Sequence, residues 1–573
     1  MSSMKQFFPF LEWLIPYDKS NFSGDLSAGL TVGVMLIPQG MAYAMLAGLP
    51  PIYGLYASTV PLIVYALFGT SRKLAVGPVA LDSLLVASGV GALAVGGSPE
   101  YIGLAILLAS MVGMIQLTMG VFRLGFLVNF LSHPVIAGFT SGAALIIGFS
   151  QLKHLLGIDI ARGKIHETIL QIAQNIQNIN PTTLILGLAT IGVLVFIKKM
   201  KRRIPGPLIV VFLGILVVYF GGLADSGVAI IRDIPDGLPS FSLPAFSWQA
   251  LSDLLPTALA IAFIGFMEST AVSKALQARH KGYKVVPNQE LIALGLTNII
   301  GSFFKAFPTT GGFSRTAVND QAGAQTGLAA MISASVIILT LLFFTSYFYY
   351  LPTAVLAAII MVAVSGLIDV KEAKHLWHTD RTDFILFMLT ALGTLFLGIK
   401  EGIIIGVLLS LGMMIYRVSY PHIAHLGQIP ETPYFRNVNR FEGLIEDNEI
   451  LILRLDAPLF FANTNYIREK IISLVDKKKE IKAVIIQAQT ISSIDSSALH
   501  MLQDLIDDYE KQGISFYFTG LIGPVRDILE KGNLFKDIGE DHFFMNVHDA
   551  VRFVKDKDCQ KAKKEFIFQT GTI

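Results

Sequence analysis

The stretch KAFPTTGGFSRTAVNDQAGAQT, Lys305 to Thr326, decides how the chain is read. It interrupts a very apolar sequence with Pro308, Thr309-Thr310, the pair Gly311-Gly312, Ser314 and Arg315. A continuous membrane helix rarely carries an arginine near its middle, where a charge is costly. The composition predicts a broken span instead. An extended segment enters through Phe307-Pro308, turns at the glycines and starts a half-helix near Phe313. The free N–H groups of such a helix start point inward and attract an anion. A second stretch, SRKLAVGPVALDSLLVASG from Ser71 to Gly89, has the same grammar. Here Gly77-Pro78 makes the break, with Pro78 expected in the first helical turn, where its missing N–H leaves no partner unserved. Two Gly/Pro-broken segments, one in each half of a membrane protein, point to a transporter binding site. The plain alternative is a pair of kinked structural helices.

The 573 residues are 53% hydrophobic and only 15% charged, with a mean hydropathy of +0.60. That lies far outside soluble globular composition. Several apolar runs reach the ~20 residues needed to cross a bilayer. A net charge of +2 gives no reason to expect nucleic acid or another polyanion as partner. The single cysteine, Cys559, excludes an internal disulfide and a thiolate metal cage. The N-terminal residues 1–24 lack the pattern of a cleaved signal and read as an amphipathic interfacial lead-in.

Apolar runs and turn residues predict spans at 25–46, 52–68, 101–121, 128–152, 182–197 and 205–220. A Pro-, Gly- and Asp-rich loop at 221–248 follows. Further spans are expected at 251–276, 288–304, 327–344, 352–367, 384–397 and 401–416. With the two broken segments this makes about fourteen, roughly seven on each side of the loop. The transport domain is thus 25–420, with repeat one at about 25–222 and repeat two at about 251–418. Charge placement puts the N-terminus inside: Arg72-Lys73, Arg123, the basic run 198–203, and residues 274–284 and 371–381 fall in inner loops. Lys153, Arg162 and Lys164 depart from that pattern. An odd number of spans per half makes an inverted repeat, so the broken segments face each other near the midplane.

After Tyr416 the sequence becomes charged and alternates β-runs with helical patterns. Strands are expected at 449–455, 481–488 and 514–520, and helices at 463–478, 496–511 and 524–531. This reads as a small cytosolic α/β domain at 427–560, followed by a tail at 561–573.

Four blocks of the membrane part resemble the sulfate permease (SulP) family of anion transporters. They are IPQGMAYAMLAGLPPIYGLYAS (Ile37–Ser58), GTSRKLAVGPVA (Gly69–Ala80), NQELIALGLTNIIGSFF (Asn288–Phe304) and TTGGFSRTAVN (Thr309–Asn319). The C-terminal domain resembles the STAS domain through IIQAQTISSIDSSALHML (Ile485–Leu502). The resemblance implies a helical polytopic fold with a seven-plus-seven inverted repeat, a homodimer, and anion transport by elevator-like movement of a core against a gate domain. It implies the inner or plasma membrane, with the N-terminus and STAS domain cytoplasmic and the latter open to a cytosolic regulator.

Gln39 and Tyr43 share one helical face, and the family places these positions beside the anion; packing around Pro38 and Gly40 is the other reading. Val79 and Ala80 start the first half-helix and would contribute backbone N–H groups. A residue as small as Val79, where many relatives carry an aromatic, suggests a roomier site. Gly312, Phe313, Ser314 and Arg315 start the second. Ser314 can donate its hydroxyl to an oxyanion. Arg315 either supplies positive potential or ties the half-helix to a neighbouring carbonyl or to Glu268. Glu268, mid-span in FIGFMESTAVSK, is a candidate proton carrier, the alternative being a satisfied ion pair. Relatives with an acidic residue there include proton- or sodium-coupled symporters. Asp82 departs from the apolar residue of many relatives; it reads as a second proton site, a sodium ligand or a partner of a basic residue. Ser497 matches the phosphorylated serine of the related antagonists, or else caps the following helix.

These residues point to a proton-coupled sulfate importer. Rival readings are a sodium- or proton-coupled carrier of bicarbonate or a dicarboxylate, an uncoupled exchanger, channel or voltage-driven motor, and a nucleobase permease of similar fold. The sequence contains no phosphate loop, metal cluster or nucleophile–base pair, so neither catalysis nor a cofactor is expected.

Overall fold

The computed structural model describes residues 8–126, 132–160, 165–199, 206–280, 283–478 and 480–556. Arg162, Lys164, the basic run beyond Lys199 and the tail at 561–573 lie outside them. The chain divides into two units, Met1–Ser410 and Leu411–Ile573.

In the first unit a short turn at Leu11–Leu14 leads to α1 (Phe22–Leu46), which is apolar nearly all round, as expected of a helix that meets either other helices or lipid on every side. The apolar run at 52–68 is two helices rather than the single span expected: α2 (Ile52–Tyr56) and α3 (Val60–Phe68). Between them the Ser58 and Thr59 hydroxyls donate to the carbonyls of Gly54 and Tyr56, and Pro61 opens α3. Such local bonds compete with the helical ladder, and proline favours a fresh start.

The short strand β1 (Val76–Gly77) precedes α4 (Ala80–Gly91). Then come α5 (Pro99–Val121), α6 (His133–Leu156), α7 (Ile165–Gln174), α8 (Pro181–Lys199) and α9 (Gly206–Gly221). Lys153 stands in the last turn of α6 rather than in a loop, where a cation suits the helix dipole. After the 221–248 segment, α10 (Trp248–Arg279) runs for 32 residues and takes in Lys274, read from sequence as loop.

Next are α11 (Pro287–Phe303), strand β2 (Thr310–Gly311), α12 (Phe313–Gln321), α13 (Leu328–Phe343) and α14 (Thr353–Val364). Residues 371–381, read as a basic loop, instead belong largely to a helix, α15 (Val370–Thr379). It is capped by Asp369, whose side chain accepts from the Glu372 N–H. α16 (Arg381–Leu397) and α17 (Ile399–Ser419) complete the series. Among the described residues five helical stretches are long and apolar enough to cross a membrane: Lys19–Leu46, Pro99–Val121, His133–Leu156, Trp248–Gln277 and Thr353–Thr379. Shorter apolar helical stretches include Ile52–Phe68, Ala80–Gly91 and Leu328–Phe343.

Helices of the first half pack on helices of the second: α1 on α13, α5 on α11, α6 on α16. Small residues let the backbones meet. A Cβ on Gly29 would lie 2.6 Å from Cβ of Ile332, and the Ser333 hydroxyl donates to the Gly29 carbonyl at 2.9 Å. A Cβ on Gly113 would lie 2.7 Å from the Gly295 carbonyl oxygen.

The second unit holds a six-stranded sheet ordered β4-β3-β5-β6-β7-β8. Its strands are β3 (Ile423–Gln428), β4 (Phe435–Asn437), β5 (Ile450–Leu455), β6 (Ala483–Gln487), β7 (Ser515–Thr519) and β8 (Phe543–Phe544). β5 to β8 are parallel, while β3 runs antiparallel to β4 and β5. The helices α18 (Thr464–Val475), α19 (Ser496–Glu510), α20 (Gly523–Lys531), α21 (Leu534–Ile538) and α22 (Val547–Lys555) accompany it. One apolar core includes Leu451, Leu453, Ile467 and Leu502; a second includes Ile452, Ile485, Tyr517 and Phe553. Strands covered on both faces read as continuous apolar runs, which is why β5, β6 and β7 were legible in sequence.

Candidate functional site

The two broken segments meet. β1 and β2 pair antiparallel, Val76 opposite Gly311 and Gly77 opposite Thr310. The Gly312 N–H extends the contact to the Ala75 carbonyl at 3.0 Å. Each strand runs directly into a helix start. Val79 is the extended N-cap residue of α4, and Gly312 that of α12; neither has a side-chain cap. Pro78 stands just before the N-cap rather than inside the first turn, because the chain is still extended through Val79. By helix geometry the N–H groups of Ala80, Leu81 and Asp82, and of Phe313, Ser314 and Arg315, have no intrahelical acceptor. The first ladder bonds are Ser83 N–H to Val79 and Thr316 N–H to Gly312, each at 3.0 Å.

Arg315 is 2% exposed, and its Nη1 donates to the Pro78 carbonyl at 2.5 Å. Of the sequence alternatives, the tie to a carbonyl is therefore made, whereas no ion pair joins Arg315 to Glu268 among the described residues. Nε and Nη2 of Arg315 remain without a partner among those residues. The guanidinium lies against Gly77 and Gly312, where Cβ atoms would stand 3.4 and 2.8 Å from Nη2. Gly77 also has φ +150°, a backbone state that L side chains avoid. Phe313 and Ser314 are exposed at the same helix start, while Val79 and Ala80 are buried.

Around these starts stand α1 and α10. Gln39 and Tyr43 of α1 are both buried; Gln39 Oε1 has no partner among the described residues, and the Tyr43 hydroxyl feels the charges of Arg315 and Glu268. Glu268 of α10 is half-buried, with Oε2 enclosed and likewise unpartnered. Asp82, in the first turn of α4, is fully buried, and neither carboxylate oxygen has a partner among the described residues.

Several residues that hold the site escaped sequence reasoning. Asn298 of α11 acts like a strand for the extended segment: its Oδ1 accepts from the Thr309 N–H at 2.8 Å, and its Nδ2 donates to the Thr309 carbonyl at 3.1 Å. The Ser269 hydroxyl accepts from the Gly311 N–H at 2.9 Å and bonds Thr310 Oγ1 at 2.8 Å. Lys73, read as an inner-loop charge, is 3% exposed and donates to Asp320 at 2.6 Å. Burying a lysine requires such a partner. His280 also reaches Asp320, at 2.7 Å, so three elements are tied at the far end of α12. Two buried acidic residues, Asp25 at the start of α1 and Glu290 in the first turn of α11, also act as clamps, each accepting several hydrogen bonds from a neighbouring connection.

In the second unit, Ser496 and Ser497 are exposed at the start of α19. Asp495 is the cap: its Oδ1 accepts from the Ala498 N–H at 2.8 Å, and its Oδ2 from the Phe461 N–H at 2.8 Å. The capping role considered for Ser497 therefore belongs to Asp495. Among the described residues no group of His, Cys, Asp or Glu is placed to hold a metal ion.

The model of the sulfate permease family matches residues 22–390, which contain both broken segments. The chain belongs to that family. A STAS domain model matches residues 444–550 of the second unit. The chain is 41% identical over 565 residues to "Sulfate transporter 4.1, chloroplastic" of Arabidopsis thaliana, covering 95% of this chain and 82% of the relative. It is 35% identical over 571 residues to "High affinity sulfate transporter 2" of Stylosanthes hamata, covering 96% and 86%. Among solved structures, the murine solute carrier 26 family member A9 anion transporter in the inward-facing state superposes with a TM-score of 0.89 at 28% identity, covering 97% of this chain and 95% of that one. The transmembrane domain of a cyanobacterial bicarbonate transporter matches in fold, with a TM-score of 0.60 over 69% of this chain. The sulfate permeases and the relatives named here are transporters, not enzymes.

Proposed function

We propose that this chain is a proton-coupled sulfate transporter of the cell's inner or plasma membrane. The observation that carries the reading is the β1–β2 pairing, which brings the uncapped starts of α4 and α12 together. Two sets of free N–H groups and the positive ends of two helix dipoles then converge on one region, a favourable environment for an oxyanion. Ser314 donates its exposed hydroxyl to the anion, and Arg315 supplies positive potential while bracing Pro78. Gln39 and Tyr43 present neutral donors from α1. Sulfate is favoured because relatives at 35–41% identity are named as its transporters.

Glu268 is the coupling residue in this reading. A divalent anion entering against a negative-inside potential is opposed by ~2.3 kcal/mol per charge per 100 mV. A proton carried with it on Glu268 removes part of that opposition. The helix starts move with the anion, in an elevator-like step, within an inverted repeat of about fourteen spans and a homodimer. The N-terminus and STAS domain face the cytoplasm, and the exposed Ser497 is offered there as a phosphorylation site for a cytosolic regulator.

The test is radiolabelled sulfate uptake into proteoliposomes, with and without an inward proton gradient, for wild type and Glu268→Gln. Gradient-driven uptake that the substitution uncouples is expected. Uptake indifferent to the gradient in both proteins overturns the coupling, and absence of sulfate uptake overturns the substrate.

A further inference from the structure

The described part of the membrane unit contains two buried carboxylates that are fully served and one that is not. Asp25 is 0% exposed and accepts from Tyr17 Oη, from the Gln325 and Thr326 N–H groups, and from the Thr326 hydroxyl, at 2.6 to 3.0 Å. Glu290 is 0% exposed and accepts from Tyr65 Oη, from Thr70 through its N–H and hydroxyl, and from the Ser71 N–H, at 2.5 to 3.1 Å. Asp82 is equally buried, yet neither oxygen accepts a bond among the described residues.

A carboxylate with no donor in a low-dielectric interior costs several kcal/mol, and the general remedy is to neutralise it with a cation, the smallest being a proton. The surroundings of Asp82 fit that remedy. A Cβ on Gly265 would lie 3.5 Å from Asp82 Oδ2 and 2.9 Å from Thr310 Oγ1. Asp82 thus borders α10 one turn before Glu268, next to the hydroxyl chain of Thr310 and Ser269. The helices packed on α4 are α1, α5, α6 and α10. Of the titratable groups they bring, Glu268 is the one that acts electrostatically on Asp82, while Arg315 acts on Glu268.

We infer that Asp82 carries a second proton, bound together with the anion and travelling beside the one on Glu268. The inference rests on the proton-coupled reading above and extends it to stoichiometry. Asp82 lies in the first turn of α4, so when ionised it repels an anion at that helix start, and when protonated it does not. Proton and anion therefore favour each other's binding, as linkage requires. Two protons with one divalent anion make the cycle electrically neutral.

The test uses the full chain in proteoliposomes with the potential clamped by potassium and valinomycin. Sulfate accumulation and proton uptake are measured for wild type, Asp82→Asn and Asp82→Val. Wild type should take up two protons per sulfate, and its accumulation should not respond to potential. Asp82→Asn should take up one, and 100 mV negative inside should lower its accumulation about fifty-fold, the effect of one uncompensated charge. Asp82→Val, which also cannot protonate, should behave the same way. A wild-type ratio of one overturns the inference, and so does a variant that keeps the wild-type ratio and voltage independence. If a sodium gradient at equal pH drives uptake and Asp82→Asn abolishes it, the proton assignment is wrong. Wild type that shows no proton-driven uptake overturns the underlying reading itself, which is a separate result from an unchanged ratio in Asp82→Asn.

Discussion

Arg315, at the start of one half-helix, donates to the backbone carbonyl of Pro78, just before the other, at 2.5 Å. The bond joins residues 237 apart in sequence and is buried. It makes the arginine a brace between the two helix starts, and in the function proposed above the same side chain supplies the potential that attracts the anion. Removing it leaves a buried carbonyl unserved, worth about 1–3 kcal/mol, and removes a positive charge from the site. Arg315→Ala should therefore lower sulfate uptake by at least about tenfold and lower the melting temperature of the detergent-solubilised protein. Arg315→Lys keeps the charge but not the planar fork of donors, so it should recover part of the uptake and little of the stability. Uptake and melting measured together separate the two roles; full recovery of both by lysine would remove the brace from the account.

The sequence announced the broken segments because their cause is local. Gly77-Pro78 and Gly311-Gly312 interrupt apolar runs; the second helix starts at Phe313 as the pattern predicts, and the first at Ala80, with Pro78 just before its N-cap instead of in its first turn. What the pattern did not contain was the partner of each polar side chain. Asn298 serves Thr309 from 11 residues away, but Lys73 finds Asp320 only across 247. Pairings of that length depend on which helices pack together, and apolar periodicity carries no record of it. For the same reason Lys73 looked like a loop charge, and Asp25 and Glu290 drew no notice. The exposed α15 was missed because its charged residues resemble a basic loop, and its cap, Asp369, is an ordinary loop residue until its bond to Glu372 is seen.

Asp25 and Glu290 yield a prediction opposite in kind to that for Asp82. Each closes a connection that flanks a broken segment, Asp25 gathering residues just after α12 and Glu290 residues just before β1. An amide in either place keeps one acceptor oxygen, loses the charge and turns an N–H group toward donors already there. Asp25→Asn and Glu290→Gln should each destabilise the membrane unit by about 2–4 kcal/mol, from charge-assisted bonds lost or inverted. The protein that remains folded should keep the wild-type ratio of protons to sulfate. Melting curves and ion ratios measured on the same preparations check this. An altered ratio with unchanged melting would instead move these carboxylates into the coupling pathway.

In the STAS unit the pH dependence can be worked out at Asp456. Burial acts to raise its carboxyl, but hydrogen bonds from Arg454 and His422 outweigh that and hold it below the ordinary carboxylate range. A carboxyl held low in the folded state stabilises the fold at pH above its unfolded value, about 3.9. That stabilisation is lost as pH falls through the lower, folded value. Asp456→Asn should therefore weaken the unit at neutral pH, and the difference from wild type should shrink as the pH drops below about 4. The group is partly exposed, so solvent screening keeps the effect modest. Asp456 follows β5 directly, so hydrogen exchange in Ile450–Leu455 of the full chain, corrected for the intrinsic rate at each pH, is the local readout. Protection that differs between the two proteins equally at pH 3 and pH 7 would assign the effect to packing rather than to the charge on Asp456.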